Sequence, residues 1–237
     1  MIKKILMVII LIVGLVACGK KIPTPDEAYR EAMSLYTRKY YEDSVEAFKK
    51  VKDLFPDHPL AKESQLMVGD AHFYSEKYDE AYLAYDEFIK LYPESINIPY
   101  AHYMQALCYF KQISEKDRDQ GFTRQALEKL EKLVKEFPDT PYALKAYFYI
   151  KECRKRLAEQ EIYVGNYYLR YDKYKAAEKR FNYALKNFPD VNIQEDALYG
   201  LYQVYTRKKD EDKQKKVLDT LLKYFPDTKY KEKINKR

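Results

Sequence analysis

LFPDHP (54–59), LYPES (91–95), EFPDTP (136–141), NFPDV (187–191) and YFPDT (224–228) are one phrase written five times in a chain of 237 residues. Their prolines stand at 56, 93, 138, 189 and 226, which gives spacings of 37, 45, 51 and 37. The phrase is punctuation between helices. Its aromatic residue closes the buried face of one helix. The proline then ends that helix, because it lacks an N–H and restricts the residue before it. In EFPDTP, Asp139 or Thr140 is placed to N-cap the next helix, with Pro141 in its first position. Between the phrases, apolar residues recur at three and four, as in Ala126, Leu127, Leu130, Leu133, Val134 and Phe137, the spacing of one helix face. Strand-like alternation bounded by glycine turns is missing, and the chain has only 6 glycines. The pattern predicts an all-α protein.

Periods of this size predict a helical repeat, and the tetratricopeptide unit is roughly 34 residues long. Counting back from Pro189, Val164, Gly165 and Tyr168 fall on one helix and Ala177, Phe181 and Ala184 on the next, matching six of the eight positions of that signature. Gly69, Ala81 and Phe88 fit in the second unit, and Phe48 and Pro56 in the first. The fifth keeps Tyr205, Leu218 and Leu221 but has Gln214 where a small residue is expected, as a capping repeat allows. The expected architecture is a right-handed solenoid of about five tetratricopeptide-like helix pairs, with units at about 26–58, 59–95, 96–140, 141–191 and 192–228. Two places break the period. KQISEKDRDQGF (111–122) is too long for a simple turn, and the segment from Pro141 to about Arg170 extends the first helix of the fourth unit backward through Cys153. Extra loops on repeat proteins often serve partners. Asp117, Arg118 and Asp119 read equally as a solvated turn with a local ion pair.

The N-terminus carries its own signal. Lys3 and Lys4 precede residues 5–17, an uncharged run of 13 that is short beside the roughly 20 of a spanning helix. This is the form of a secretory signal peptide. Leu15-Val16-Ala17-Cys18 resembles the lipobox of bacterial lipoproteins, which makes residues 1–17 the signal and Cys18 the acylated first residue of the mature chain. The other reading is an ordinary signal or anchor helix that contains Cys18. Residues 18–25 form a linker, and residues 19 to 25 reach roughly 25 Å when extended. Gly19 is permissive for sorting to the outer membrane, by the sorting logic of enteric-type bacteria. Without Lys3 and Lys4 the chain has 41 basic and 37 acidic residues, a weak case for nucleic acid. Cys108 and Cys153 sit in apolar helical patterns and read as buried free thiols. The basic end KYKEKINKR (229–237) reads as a solvated, frayed tail or as a contact for lipid or a partner.

No catalytic constellation stands out. His58, His72 and His102 lack metal-ligand spacing, and no nucleophile elbow, phosphate-binding glycine loop or Cys-x-x-Cys is present. The acids alternate with lysines, as on solvated helix faces. The expectation is a protein with no catalytic residues, no metal and no cofactor beyond a covalent lipid on Cys18.

NIPYAHYMQALCYF (97–110), DRDQ (117–120) and LAEQEIYVGNYYLRYDKYKAAEKRFNYALKNFPD (157–190), together with the lipobox and the five units, resemble the BamD family of outer-membrane lipoproteins. The resemblance covers essentially the whole mature chain. It implies a non-enzymatic member of the β-barrel assembly machinery, anchored by lipid (palmitate among its acyl groups) on the periplasmic face of the outer membrane. Its partners would be a BamA-like barrel subunit, other assembly-complex lipoproteins and unfolded outer-membrane proteins, with no nucleic acid. By that resemblance Arg180 contacts the barrel subunit, the Asp117-Arg118-Asp119 insert serves partner binding, and Phe55 and His58 belong to a substrate site. His58 departs from a family glycine, and Glu42 and Asp43 replace a basic residue of a relative. Arg180 has a plainer reading as an exposed helix charge paired with Glu178. A tetratricopeptide lipoprotein scaffold for pilus assembly or peptidoglycan synthesis is the alternative function, and a helical-repeat lytic enzyme a third.

Overall fold

The computed structural model describes residues 22–235, so the signal segment and residues 18–21 of the linker, Cys18 among them, lie outside the described residues. Among the described residues eleven α-helices and no strands occur: α1 (Pro25–Thr37), α2 (Tyr41–Leu54), α3 (Pro59–Tyr74), α4 (Tyr78–Leu91), α5 (Ile98–Lys111), α6 (Gly121–Glu136), α7 (Pro141–Arg170), α8 (Tyr174–Asn187), α9 (Gln194–Lys208), α10 (Glu211–Tyr224) and α11 (Lys231–Asn235). They group into two compact units, one ending at Ser75 and one beginning at Glu76. In the first, α1 packs on α2, α2 on α3 and α1 on α3. In the second, each helix from α4 to α9 packs on the next, and α5 on α7 and α7 on α9 also meet. Neighbour and next-but-one contacts of this kind are the packing of stacked helix pairs.

The recurring phrase does what its chemistry dictates. Phe55, Tyr92, Phe137, Phe188 and Phe225 are each the C-cap of a helix, and each donates its N–H to the carbonyl four residues earlier. Each then leaves the helical region, as a residue before proline must. On the helix leading into each of the first four phrases, a small residue stands 12 positions before the proline and apolar residues 8 and 5 before it. Ser44, Phe48 and Val51 are buried in α2, Ala81, Tyr85 and Phe88 in α4, Ala126, Leu130 and Leu133 in α6, and Ala177, Phe181 and Ala184 in α8. In the last unit the amide of Gln214 donates to Thr206 Oγ1 at 2.9 Å, which gives the oversized residue a polar partner.

Helix starts are also specified locally. Thr24 and Glu27 form a reciprocal capping box, so α1 begins at Pro25, within the segment expected as linker. Of the two candidate caps before Pro141, Thr140 serves: its hydroxyl accepts from the Ala143 N–H at 3.2 Å. α7 then runs unbroken for 30 residues through Cys153. Cys108 and Cys153 are buried free thiols, and burial pushes the Cys153 thiol up to about 12.

The C-terminal segment is not frayed as far as it is described. Tyr230 stacks on Tyr199 with ring centroids 3.8 Å apart, and its hydroxyl donates to Asp196. Thr228 Oγ1 donates to Glu195 at 2.6 Å and the Lys229 N–H to the same carboxylate at 2.8 Å. One tyrosine and two acids at the start of α9 thus hold a tail whose charge alone predicts solvation.

Candidate functional site

Arg180 owes its position to its neighbour. Phe181 is fully buried in α8, and its ring lies against Gly165 of α7 and Gly200 of α9. A Cβ on Gly165 would come within 2.7 Å of that ring and one on Gly200 within 2.5 Å, so only glycine at both places admits it. The ring fixes the rotation of α8 and turns Arg180 toward α7. There Nη1 donates to Glu161 Oε2 at 3.1 Å and Oε1 at 3.3 Å. The expected partner Glu178 is engaged elsewhere, because Lys208 Nζ donates to it at 3.0 Å and Tyr205 Oη at 2.9 Å. Burial works to raise the Glu178 carboxyl, but those two donors outweigh it and hold it below the usual range. Glu161 is 14% exposed and Arg180 43%. Only Nη1 is engaged, so the remaining guanidinium donors stay open to a second carboxylate, in the planar fork that suits one. Tyr168, Ala176, Lys179 and Tyr183 complete the groove around it.

The insert between α5 and α6 is tied to the same turn of α7. Its organiser is Gln120, which is buried. Its Nε2 donates to the carbonyls of Glu115 at 2.8 Å, Arg118 at 3.3 Å and Ser114 at 3.4 Å, and its Oε1 accepts from Thr123 at 2.7 Å. Gln160 Nε2 of α7 reaches the Arg118 carbonyl at 3.3 Å. Gln160 and Glu161 are adjacent, so the insert and Arg180 are each held by one of two consecutive residues. The ion pair at the insert runs from Asp119 to Arg124 at 3.3 Å, and Asp119 also accepts the Gly121 N–H at 2.7 Å. Asp117 and Arg118 present exposed side chains. Gln120, Gln160 and Glu161 all stand within the motifs of the sequence. The role of Gln120 rests on local contacts within six residues, whereas those of Gln160 and Glu161 depend on contacts across 42 and 19 residues of sequence.

Phe55 and His58 lie in the turn between α2 and α3. Phe55 is half-buried as the C-cap of α2, and His58 is the N-cap of α3, its Nδ1 accepting the Leu60 N–H at 3.3 Å. The prominent aromatic group of that unit is Tyr36, Tyr41 and Tyr74, with centroids 5.6 to 6.2 Å apart. Burial, then the Asp70 charge, raises the Tyr36 hydroxyl strongly. Tyr74 ends α3 and His58 precedes it, so about 24 Å of helix separates them.

Among the described residues no group of three metal-ligating side chains converges, and no helix is long and apolar enough to cross a membrane.

Residues 23–219 match the family described as YfiO, outer membrane lipoprotein. A Caulobacter vibrioides protein named outer membrane protein assembly factor BamD is 33% identical over 197 residues, 79% of this chain and 65% of that protein. The Rickettsia prowazekii protein of the same name is 30% identical over 229 residues, covering 93% of this chain and 91% of its own length. The chain therefore spans just under two thirds of the first relative and most of the second. Among solved structures, the TPR2AB domain of yeast Sti1 in complex with pHSP90 matches 85% of this chain and 78% of its own at a TM-score of 0.50. At 14% identity that likeness shows the fold alone.

Proposed function

Because the chain belongs to the YfiO family of outer membrane lipoproteins, we propose that it works in outer-membrane protein assembly as a non-enzymatic scaffold. In this reading it docks a BamA-like barrel subunit at the Arg180 groove and receives unfolded outer-membrane proteins on its first unit. Curated relatives named as outer membrane protein assembly factors support the process. The observation that carries the docking face is the half-open guanidinium of Arg180. Glu161 holds one of its nitrogens while the rest of the fork faces outward beside Lys179 and Tyr183. A carboxylate on the partner completes the pair. The Asp117-Arg118-Asp119 insert, fastened to the same turn of α7, adds a second charged contact. Cys18 is the acylation site, and two or more acyl chains there anchor the protein to the membrane.

The test follows from the Glu161 pair. Arg180→Glu sets two carboxylates against each other, so it weakens docking and also costs roughly 1–3 kcal/mol of stability. The exchange Glu161→Arg with Arg180→Glu restores the internal pair but presents the wrong charge outward. Stability recovers in the double variant and binding to the purified periplasmic part of the barrel subunit does not. If the exchange restores both, Arg180 serves only the fold.

A further inference from the structure

The C-terminal half of α7 carries a second groove. Glu159, Tyr163, Asn166 and Arg170 follow one another at four, three and four residues, so they form one stripe along the helix. Ile162 and the buried Ile193 supply an apolar floor, and Lys116 of the insert stands at the rim. Glu161 and Tyr168, which line the Arg180 groove, lie on the other side of α7, since the two residues from Glu161 to Tyr163 turn it by about 200°. The two grooves are separate.

Charge identifies the occupant. Of the two acids of this groove, Asp196 is occupied, taking Lys229 Nζ at 2.6 Å and the Tyr230 hydroxyl, while Glu159, at the far end of the stripe from Arg170, has only a loose pair with Lys155 at 4.0 Å. Lys116 and Arg170 are exposed and have no carboxylate partner among the described residues. Asn166 is exposed one turn before Arg170. The surface thus offers two uncompensated cations and an amide beside a tyrosine and an isoleucine floor. From Glu159 to Arg170 the helix rises about 16 Å, the reach of about five extended residues.

We infer that this groove binds an extended acidic segment of another protein, about five residues long. Its side-chain carboxylates pair with Arg170 and Lys116, and an aromatic side chain between them lies on Tyr163. Arg170 grips one carboxylate through charge-assisted hydrogen bonds, and the Asn166 amide one turn earlier adds a neutral donor to it.

The probe is a fluorescein-labelled peptide Asp-Tyr-Asp-Tyr-Asp with both ends blocked, titrated with the full-length protein in detergent at low salt and read by anisotropy. Arg170→Gln and Lys116→Gln each weaken binding about tenfold, as expected for loss of one charged hydrogen bond. The peptide with Asn for Asp binds at least about tenfold more weakly, a comparison made on the wild type and independent of any variant's folding. The titration contains no barrel subunit, so this inference and the barrel-subunit reading fail separately. Equal binding of the Asn peptide, or indifference to Arg170→Gln, overturns it. Binding that requires an unblocked C-terminal carboxylate also overturns it, in favour of a chain end.

Discussion

Phe181 is the side chain on which the candidate docking face depends. Its ring occupies space that two glycines leave open, with hypothetical Cβ contacts of 2.7 and 2.5 Å. Gly165→Ala or Gly200→Ala therefore overpacks the site, with an expected loss of about 1–3 kcal/mol in urea unfolding. Phe181→Leu in the Gly165→Ala background recovers part of that loss, because the smaller side chain relieves the clash. Additive losses would contradict the clamp. Arg180 shows how much of the site the sequence carried. Its place on α8 follows from the repeat register alone. Its partner does not: Glu178 is near in sequence but turned about 200° away around the helix, and it meets Lys208 and Tyr205 of α9. Glu161 is 19 residues distant and meets Arg180 through tertiary packing, which no local pattern encodes. His58 is legible in part, since a residue before Pro59 is a natural cap position.

At the scale of elements, the turns inside the helix pairs repeat as strictly as the proline phrases. Lys39, Glu76, Asp172 and Lys209 each adopt positive φ, between 55° and 65°, and each stands 17 residues before its unit's proline. In the third unit that position is Gly121, and the insert replaces the turn. Left-handed backbone favours glycine, yet none of the four is glycine, so the pattern is invisible to a search for glycine turns. Lys209→Gly, at the C-cap of α9, should stabilise the protein by about 1 kcal/mol in thermal or urea unfolding. The insert was legible as extra length, but its order rests on Gln120. Gln120→Ala leaves carbonyls of residues 114, 115 and 118 without their shared donor. Amide exchange across residues 112–120 should accelerate, while the cores of α5 and α6 remain protected.

A third element-level device joins α7 to the turn between α8 and α9. Arg154 Nε donates to Asp190 Oδ2 at 2.7 Å and Nη2 to the Asn187 carbonyl at 2.9 Å. Those bonds from Arg154, outweighing partial burial, hold the Asp190 carboxyl below its usual range. A depressed folded-state value contributes stability above the unfolded value, near pH 4, and that contribution is lost as pH falls through the folded value. Asp190→Asn should therefore lose less stability than the wild type as pH is lowered from about 5 to about 3. The NFPDV phrase is then partly a salt-bridge site, a role its helix-ending chemistry does not announce.

At the scale of the whole molecule, the proline spacings were enough to reach an all-helical repeat, because each unit's start, stop and buried stripe are local properties. How the last unit finishes was not legible. A basic tail predicts solvent, but Tyr230 and the acids of α9 outweigh its charge with specific contacts. The membrane assignment rests on Cys18. Incorporation of a palmitate analogue by the wild type and its absence in Cys18→Ser would support the anchor, and equal incorporation would remove it. The central claim is the role in outer-membrane protein assembly. Its most direct test is affinity purification of the wild-type protein from detergent-solubilised envelopes of its own bacterium, followed by mass spectrometry. The account predicts that a BamA-like barrel subunit co-purifies in near-stoichiometric amount and that Arg180→Glu depletes it. Recovery of the protein without any such subunit would contradict the account.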